Sequence, residues 1–241
     1  MKEDDFEALL RERDEFLASP GVVVENRMRA VAMIRRVVLA NLAELRDPVL
    51  AFEDPAVYMP LMDVDHGQRQ LDQFLVHVTR RLFNHLVTSA SCVDHLRMSV
   101  SAMPAEQAAC FGRLSHVLHQ FASRPHFALL VALRDFCVHN WLHVTAATLD
   151  LNPPMRARVA LSLVRIREEF HARRRRRSSN LTDPFVALGD RLEMGTLVAT
   201  SHYELTALFA DLTSILSDEY KRYADEVRVA RERLSKLLGS G

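Results

Sequence analysis

Apolar side chains recur every three or four residues over most of the chain, the spacing that places them on one face of an α-helix. This spacing predicts helices over residues 2–18, 22–46, 67–102, 105–122 and 126–140, and a mostly helical segment over about 183–238. Pro20-Gly21 ends the first helix, and Pro48, Pro55 and Pro60 predict an irregular connection that extends to about residue 66.

The period changes after Trp141, where alternation replaces helical spacing. Ala157, Val159, Leu161 and Leu163 alternate with more polar or smaller residues, which is the period of a β-strand. Residues 144–149 can pair with this strand across a turn rich in Asn and Pro. We therefore predict a β-hairpin over residues 143–165.

Composition favours a helical protein. Hydrophobic residues make up 49% of the 241 residues, and there are only 7 Gly and 9 Pro, too few turn formers for an all-β or a disordered chain. The predicted fold class is mainly α: an antiparallel helical bundle with a small β-hairpin insert. Residues 1–66 are expected to form N-terminal helices that pack on a bundle of residues 67–241, as one continuous domain with a long C-terminal helix.

The charges are balanced overall but not along the chain. Lys plus Arg and Asp plus Glu are 31 each, which disfavours a nucleic-acid binder of the generally basic kind. Residues 156–177, however, contain nine Arg against Glu168 and Glu169. Two interpretations are equally weighted: capture of an RNA backbone, or a solvated linker made by Arg173–Arg177 and the following Ser178-Ser179-Asn180.

Nothing in the sequence predicts a membrane span or a disulfide. No apolar run approaches the roughly 20 residues that a span requires, and the N-terminus is acidic. Cys92, Cys110 and Cys137 are an odd number at no metal-binding spacing. Free thiols favour a reducing compartment, so the expected localisation is the cytoplasm. Almost all basic residues are Arg, which is a hint of a GC-rich bacterial genome.

Candidate chemistry lies where the apolar run 127–133 ends in Arg134-Asp135-x-x-x-His139. Asp135 and His139 are four residues apart and share a helix face, whereas Arg134 and His139 point about 140° apart. A carboxylate beside an imidazole suits proton transfer, and a guanidinium suits a phosphate. The alternative from the residues alone is a structural Arg–Asp salt bridge with a capping His, and it is the more frequent arrangement.

Arg134-Asp135-x-x-x-His139 resembles the R-x4-H signature of the HEPN domain superfamily. The earlier helix strengthens the resemblance, with Arg80-Arg81-Leu82-Phe83-Asn84-His85-Leu86, Ser91, Asp94-His95 and Arg97. It covers residues 67–216. The resemblance implies a metal-independent endoribonuclease without cofactor, in which two protomers form a shared cleft. There His139 would transfer the proton, Arg134 would stabilise the phosphate and Asp135 would orient both.

Further residues are predicted to support this site or to bind RNA. They lie on the long helix, after the motif and in the basic segment: Asn84, Asp94, His95, Arg97, Asn140, Arg173, Arg174, Arg175, Arg176 and Arg177. The long helix carries a polar stripe beside its apolar one, and for most stripe residues a solvated face is the more probable interpretation.

A metal site is not predicted. His116-x-x-His119 and His139-x-x-x-His143 each place two imidazoles on one helical face, but the glutamate of the H-E-x-x-H motif is missing and no third ligand is evident.

The leading hypothesis is thus a homodimeric HEPN-type ribonuclease, acting as a toxin or defence effector. The expected partners are RNA, an antitoxin such as a small nucleotidyltransferase, and no membrane. The alternatives are a non-catalytic HEPN-like module that binds a nucleotide or a protein, and an unrelated helical protein with a metal or ligand site.

Overall fold

The fold is mainly α with one small antiparallel sheet, as predicted. A computed structural model describes residues 3–63, 67–101, 107–139, 145–150, 152, 155–177, 183–186 and 188–239, with the backbone alone for 3–6, 8, 139, 173–177, 237 and 239. Its elements are α1 (Glu3–Ala18), α2 (Pro20–Ala51), α3 (Pro55–Leu61), α4 (Gln68–Ser101), α5 (Ala108–Ala122), α6 (Pro125–His139), β1 (Thr145–Asp150), β2 (Arg156–Ser162), α7 (Val164–Arg177), β3 (Arg191–Glu193), α8 (Met194–Lys221) and α9 (Ala224–Gly239). None of the described helices combines the length and the apolar character needed to span a bilayer.

The chain forms two compact units. The first comprises Met1–Arg35, His95–His119 and Ala207–Gly241, and the second comprises Arg36–Asp94 and Gln120–Thr206. Each unit combines residues from before and after residue 66.

In the first unit, α1 packs against α9, and the start of α2 approaches α9 closely. A Cβ atom on Gly21 would lie 2.4 Å from Cγ2 of Val227 and 2.7 Å from Cβ of Tyr223. Glycine is therefore required here by the close approach of two helices.

The sheet lies in the second unit, with strand order β1-β2-β3 and antiparallel pairing throughout. Asp150 pairs with Arg156 and Thr145 with Leu161, so the predicted hairpin is confirmed. Ala157, Val159 and Leu161 are buried as the alternation predicts, although Ala160 on the opposite face is buried too. Strand β3 was not predicted, because three residues are too few to establish a period.

The prolines at 48–60 do not produce the predicted irregular connection. Helix α2 continues through Pro48, with the amide of Phe52 donating to the Pro48 carbonyl at 3.0 Å. Proline normally weakens a helix interior, and the burial of Leu45, Val49 and Phe52 on one face offsets that cost.

A further short helix, α3, follows directly. The Asp54 side chain accepts a hydrogen bond from the amide of Ala56 at 2.9 Å, and Pro55 occupies the first helical position. This is the usual N-terminal capping arrangement. Tyr58 anchors α3 through its buried ring, and the helix packs on β2.

One prediction downstream of the hairpin was wrong. Arg173–Arg177 form the end of α7 and not a linker, since Arg is a good helix former and Ile166 anchors the helix by burial. The segment from about residue 183 to 238 is mostly helical as predicted, although a turn and β3 precede α8, which starts at Met194. Ser178, Ser179 and Asn180 lie outside the described residues.

Candidate functional site

The predicted motif occupies the last turns of α6, in the second unit. The helix is apolar up to this point: Phe127, Leu129, Leu130, Ala132 and Leu133 are all buried. Arg134 and Asp135 then turn partly to solvent, with side-chain exposures of 29% and 44%. The end of a buried helix thus brings a cation and an anion to the surface together.

Arg134 and Asp135 form an ion pair with each other. Nε and Nη2 of Arg134 donate to the same oxygen, Oδ1 of Asp135, at 3.0 and 2.7 Å. Within the part of the chain that the structure describes, Nη1 of Arg134 and Oδ2 of Asp135 have no hydrogen-bond partner. This leaves Nη1 and Oδ2 for a ligand.

The same pairing occurs at two other positions. Arg13 with Asp14 and Arg46 with Asp47 are also adjacent residues, and each guanidinium again donates through Nε and Nη2 to Oδ1. Those arginines are more exposed, at 54% and 47%. An ion pair of this geometry is therefore not specific to the motif. The Arg134–Asp135 pair differs from the other two in the lower exposure of its arginine.

The third motif residue, His139, is the last residue of α6, so its backbone position is as predicted but its side chain is outside the description. Asn140, and His143 of the His139-x-x-x-His143 spacing, lie outside the described residues as well. Cys137 lies between Arg134 and His139 and is half-buried. Burial raises the pKa of its thiol to about 12, so the thiol is protonated at neutral pH and is no nucleophile.

The four predicted supporting residues of α4 are all exposed: Asn84, Asp94, His95 and Arg97. They do not share one helix face, because Arg97 points about 140° away from Asn84 on an ideal α-helix. The Asn84 carbonyl accepts a hydrogen bond from Oγ1 of Thr88 at 2.8 Å, so both partners of this bond belong to α4. Exposure agrees with the solvated-face interpretation of the polar stripe.

The basic segment is less strongly positive than its composition indicates. Arg167 donates through Nη2 to the carbonyls of Leu188 and Gly189 at 2.8 and 2.7 Å, and through Nη1 to Asp190 at 3.3 Å. Arg158 pairs with Glu193 of β3. Two of the nine arginines are thus engaged in holding the sheet and the turn before it. The side chains of Arg173–Arg177 are outside the description.

The metal hypothesis receives no support from the described residues. Among them, no group of three or more His, Cys, Asp or Glu side chains is arranged to hold an ion. His116 and His119 lie on α5, and both are exposed.

Sequence reasoning missed a buried polar chain at the other end of α6. His85 and Ser89 of α4 and Ser201 of α8 are completely buried. Nδ1 of His85 lies 3.3 Å from Oγ of Ser89, and its Nε2 lies 3.2 Å from Oγ of Ser201. Oγ of Ser201 lies 2.9 Å from Nε2 of His126, in the first turn of α6. We call these four residues the histidine–serine chain.

Neutral imidazoles satisfy the histidine–serine chain completely. If Ser89 donates to His85, then His85 donates to Ser201 and Ser201 donates to His126; the reverse direction works equally well. Burial lowers the pKa of His85 to about 4, and the neighbouring His126 adds to this effect. Burial also lowers the pKa of His126, against an opposing effect of Glu204. The chain is therefore uncharged at neutral pH.

The Ser201–His126 distance is that of a nucleophile and its base. Ser201 nevertheless has no exposed surface, so a substrate cannot reach its hydroxyl. Glu204, which could have oriented His126, is paired with Arg124 instead. We interpret the histidine–serine chain as a structural hydrogen-bond network that connects α4, α6 and α8.

The sequence contains a signal for the histidine–serine chain. His85 and Ser89 continue the apolar spacing of Val78, Leu82 and Val93 on α4, and Ser201 stands between Val198 and Leu205 in the corresponding stripe of α8. A polar residue in a core position needs a hydrogen-bond partner. This requirement could have predicted that the polar stripe residues of α4 and α8 form hydrogen bonds with each other.

Comparisons with protein-family models, with curated proteins and with solved structures return no match. The resemblance to the HEPN superfamily therefore depends on the motif residues and on their position at the end of α6.

Proposed function

We propose that this protein is a metal-independent, HEPN-type endoribonuclease that works as a homodimer. The observation that carries the proposal is the half-exposed Arg134–Asp135 pair at the end of an otherwise buried helix that terminates at His139. A polar pair at this point is accessible to a substrate while its backbone is held rigidly by the buried part of α6. Rigid support of a reactive group is what efficient catalysis requires.

The proposed reaction is internal transesterification of RNA. The ribose 2′-oxygen attacks the adjacent phosphorus, the bond from phosphorus to the 5′-oxygen breaks, and the products carry a 2′,3′-cyclic phosphate and a 5′-hydroxyl. His139 assists transfer of the proton from the 2′-hydroxyl, and the leaving 5′-oxygen takes up a proton, so that no proton is gained or lost overall. Arg134 stabilises the charge that develops on the phosphate oxygens, and its Nη1 is the donor not engaged by Asp135.

The dimer explains how residues on diverging faces of α6 act together. Arg134 and His139 of one helix point about 140° apart, so a cleft between two copies of α6 would receive Arg134 from one protomer and His139 from the other. Arg165, Arg173–Arg177 and the exposed face of α4 would then contact the RNA backbone. In a bacterial cytoplasm such an enzyme would act as a toxin or defence effector, restrained by an antitoxin such as a nucleotidyltransferase.

The test compares wild-type protein with Arg134→Ala and His139→Ala on structured and single-stranded RNA, with EDTA present. The matched control is Arg46→Ala, which removes an arginine with the same pairing to the adjacent aspartate. We expect cleavage with cyclic phosphate ends in wild type and control only, and growth arrest on expression of these two. If purified wild type cleaves no RNA and is harmless on expression, or if both motif variants cleave normally, the proposal is wrong.

A non-catalytic function is the second candidate, and the pairing itself favours it. Asp135 already neutralises Arg134, which weakens attraction of a phosphate compared with an unpaired guanidinium. In that case the same surface would bind a nucleotide or a protein without reaction. Wild-type binding of labelled RNA that Arg134→Ala weakens, without any cleavage product, would indicate this function.

A further inference from the structure

A groove of about 420 Å³ lies between α2 and α8 within the first unit. Its walls come from residues three or four apart on α2 and on α8, so one face of each helix lines it. The lining residues are Glu25, Met28, Arg29, Val31, Ala32, Arg35, Thr213, Leu216 and Tyr220. Its volume falls within the range of small-molecule sites in proteins.

The floor of the groove is apolar. Val31 and Leu216 are buried, and Met28 lines the wall beside them. Apolar surface of this kind favours the hydrocarbon or aromatic part of a ligand, because covering it removes apolar area from water.

The polar groups of the groove are predominantly cationic. Glu25 is held by two arginines: Nη2 of Arg29 donates to its Oε1 at 2.7 Å, and Arg231 of α9 binds its Oε2. The hydrogen bond from Arg231, the nearby charges of both arginines and the hydrogen bond from Arg29 lower the pKa of Glu25, so it stays ionised and keeps both arginines in place. The carboxylate of the groove is therefore already fully engaged.

Arg35 remains for a ligand. It is exposed, it lines the groove, and the described part of the chain provides no ion-pair partner for it. The charged residues that line the groove are two arginines (Arg29 and Arg35) and one carboxylate (Glu25), so the lining carries a net charge of about +1. An occupant that complements both the floor and this charge must be apolar at one end and anionic at the other.

We propose that the groove between α2 and α8 binds a small amphipathic organic anion, with its apolar body on Val31 and Leu216 and its anionic head at Arg35. Tyr220 also lines the groove. This site uses no residue of the proposed ribonuclease motif, so the two proposals can fail independently.

The test uses a matched pair of fluorescent probes, the anionic 8-anilinonaphthalene-1-sulfonate and its uncharged analogue N-phenyl-1-naphthylamine. Wild type should bind the anionic probe saturably at one site, and decanoate should displace it. Arg35→Gln should raise the Kd of the anionic probe about fivefold to tenfold while changing that of the neutral probe less than twofold, because only the anionic head interacts with the guanidinium.

Two further variants complete the design. Ala32→Phe fills the groove from an exposed position and should abolish binding of both probes, while far-UV and near-UV circular dichroism stay as in wild type. Arg46→Gln removes an arginine of the same helix about 16 Å further along its axis and should leave binding unchanged. The proposal is overturned if wild type shows no saturable binding, if Arg35→Gln binds the anionic probe normally, or if Ala32→Phe still binds.

Discussion

The two ends of α6 carry polar residues in opposite environments. At its start, His126 joins His85, Ser89 and Ser201 in a buried chain in which each hydrogen bond has a partner. At its end, Arg134 and Asp135 are half-exposed, and Nη1 of Arg134 and Oδ2 of Asp135 have no hydrogen-bond partner among the described residues. Along the helix the two sites are at least about 12 Å apart. Satisfied and sealed polar groups act on stability, whereas accessible and partly unsatisfied ones are available for a ligand.

The largest expected effect is a loss of cleavage activity, with little loss of stability, on substitution at the end of α6. Arg134→Ala and His139→Ala should lower the rate of RNA cleavage by about 10²–10⁴-fold, the usual contribution of a charge-stabilising or proton-transferring group. The free energy of unfolding should change by less than about 1 kcal/mol, because pairs at this exposure contribute little. Single-turnover cleavage and urea unfolding measure the two effects. A large loss of stability with Arg134→Ala would mean that the Arg134–Asp135 pair stabilises the fold and does not serve catalysis.

The next effect is a loss of stability at the start of α6. Ser201→Val removes the hydroxyl that joins His85 to His126 and leaves buried nitrogens unpaired, which should lower the free energy of unfolding by about 2–4 kcal/mol. Urea unfolding at pH 7.5 measures it. Ser214→Val is the matched control on the exposed face of the same helix and should change stability by less than about 1 kcal/mol. Equal effects of the two substitutions would mean that the chain contributes nothing.

The third prediction concerns the loss of stability at acidic pH. The pKa of His85 is about 4 in the folded protein against 6.5 as its ordinary value, so the unfolded chain binds the proton more tightly. Stability is therefore complete above about pH 6.5 and falls as the pH decreases towards 4, by up to about 3 kcal/mol from this residue. His126, whose pKa is also lowered by burial, should act in the same direction.

The measurement is urea unfolding at pH 7.5, 6.0 and 5.0, in wild type and in His85→Gln. The variant should be less stable at pH 7.5 but should lose less stability between pH 7.5 and 5.0. A parallel loss in both proteins would show that His85 does not titrate on unfolding.

The smallest effect is expected for the thiol beside the motif. Burial raises the pKa of Cys137 to about 12, three units above the ordinary value of 9.0. The thiolate fraction at pH 7.5 is then on the order of a thousandfold smaller than that of an unperturbed thiol. Iodoacetamide should modify Cys137 at a small fraction of the rate seen in urea, as followed by mass spectrometry. Cys137→Ser should change cleavage less than twofold, and fast labelling of the native protein would contradict this.

Periodicity alone was sufficient for the long elements. The segments predicted at 67–102 and 126–140 correspond to α4 and α6, and the alternation around Val159 corresponds to β2. These predictions succeeded because each element repeats its own period several times. Strand β3 and helix α3 are too short for that. Pro48 lies within α2 although the sequence predicts an irregular connection there, because the buried neighbours that hold it are a property of packing.

The sequence by itself determined where the helices run, which faces of α4 and α8 are apolar, and that Arg134 and Asp135 follow a buried stretch. His85 and Ser201 also stand at apolar-stripe positions of their helices, although neither was predicted to be buried. Only the tertiary structure decided that these two residues, 116 positions apart, bond to each other and to His126. The physical reason is that helical periodicity specifies the direction of a side chain around its own axis, whereas the partner of a buried polar group depends on which helices pack together and in what register.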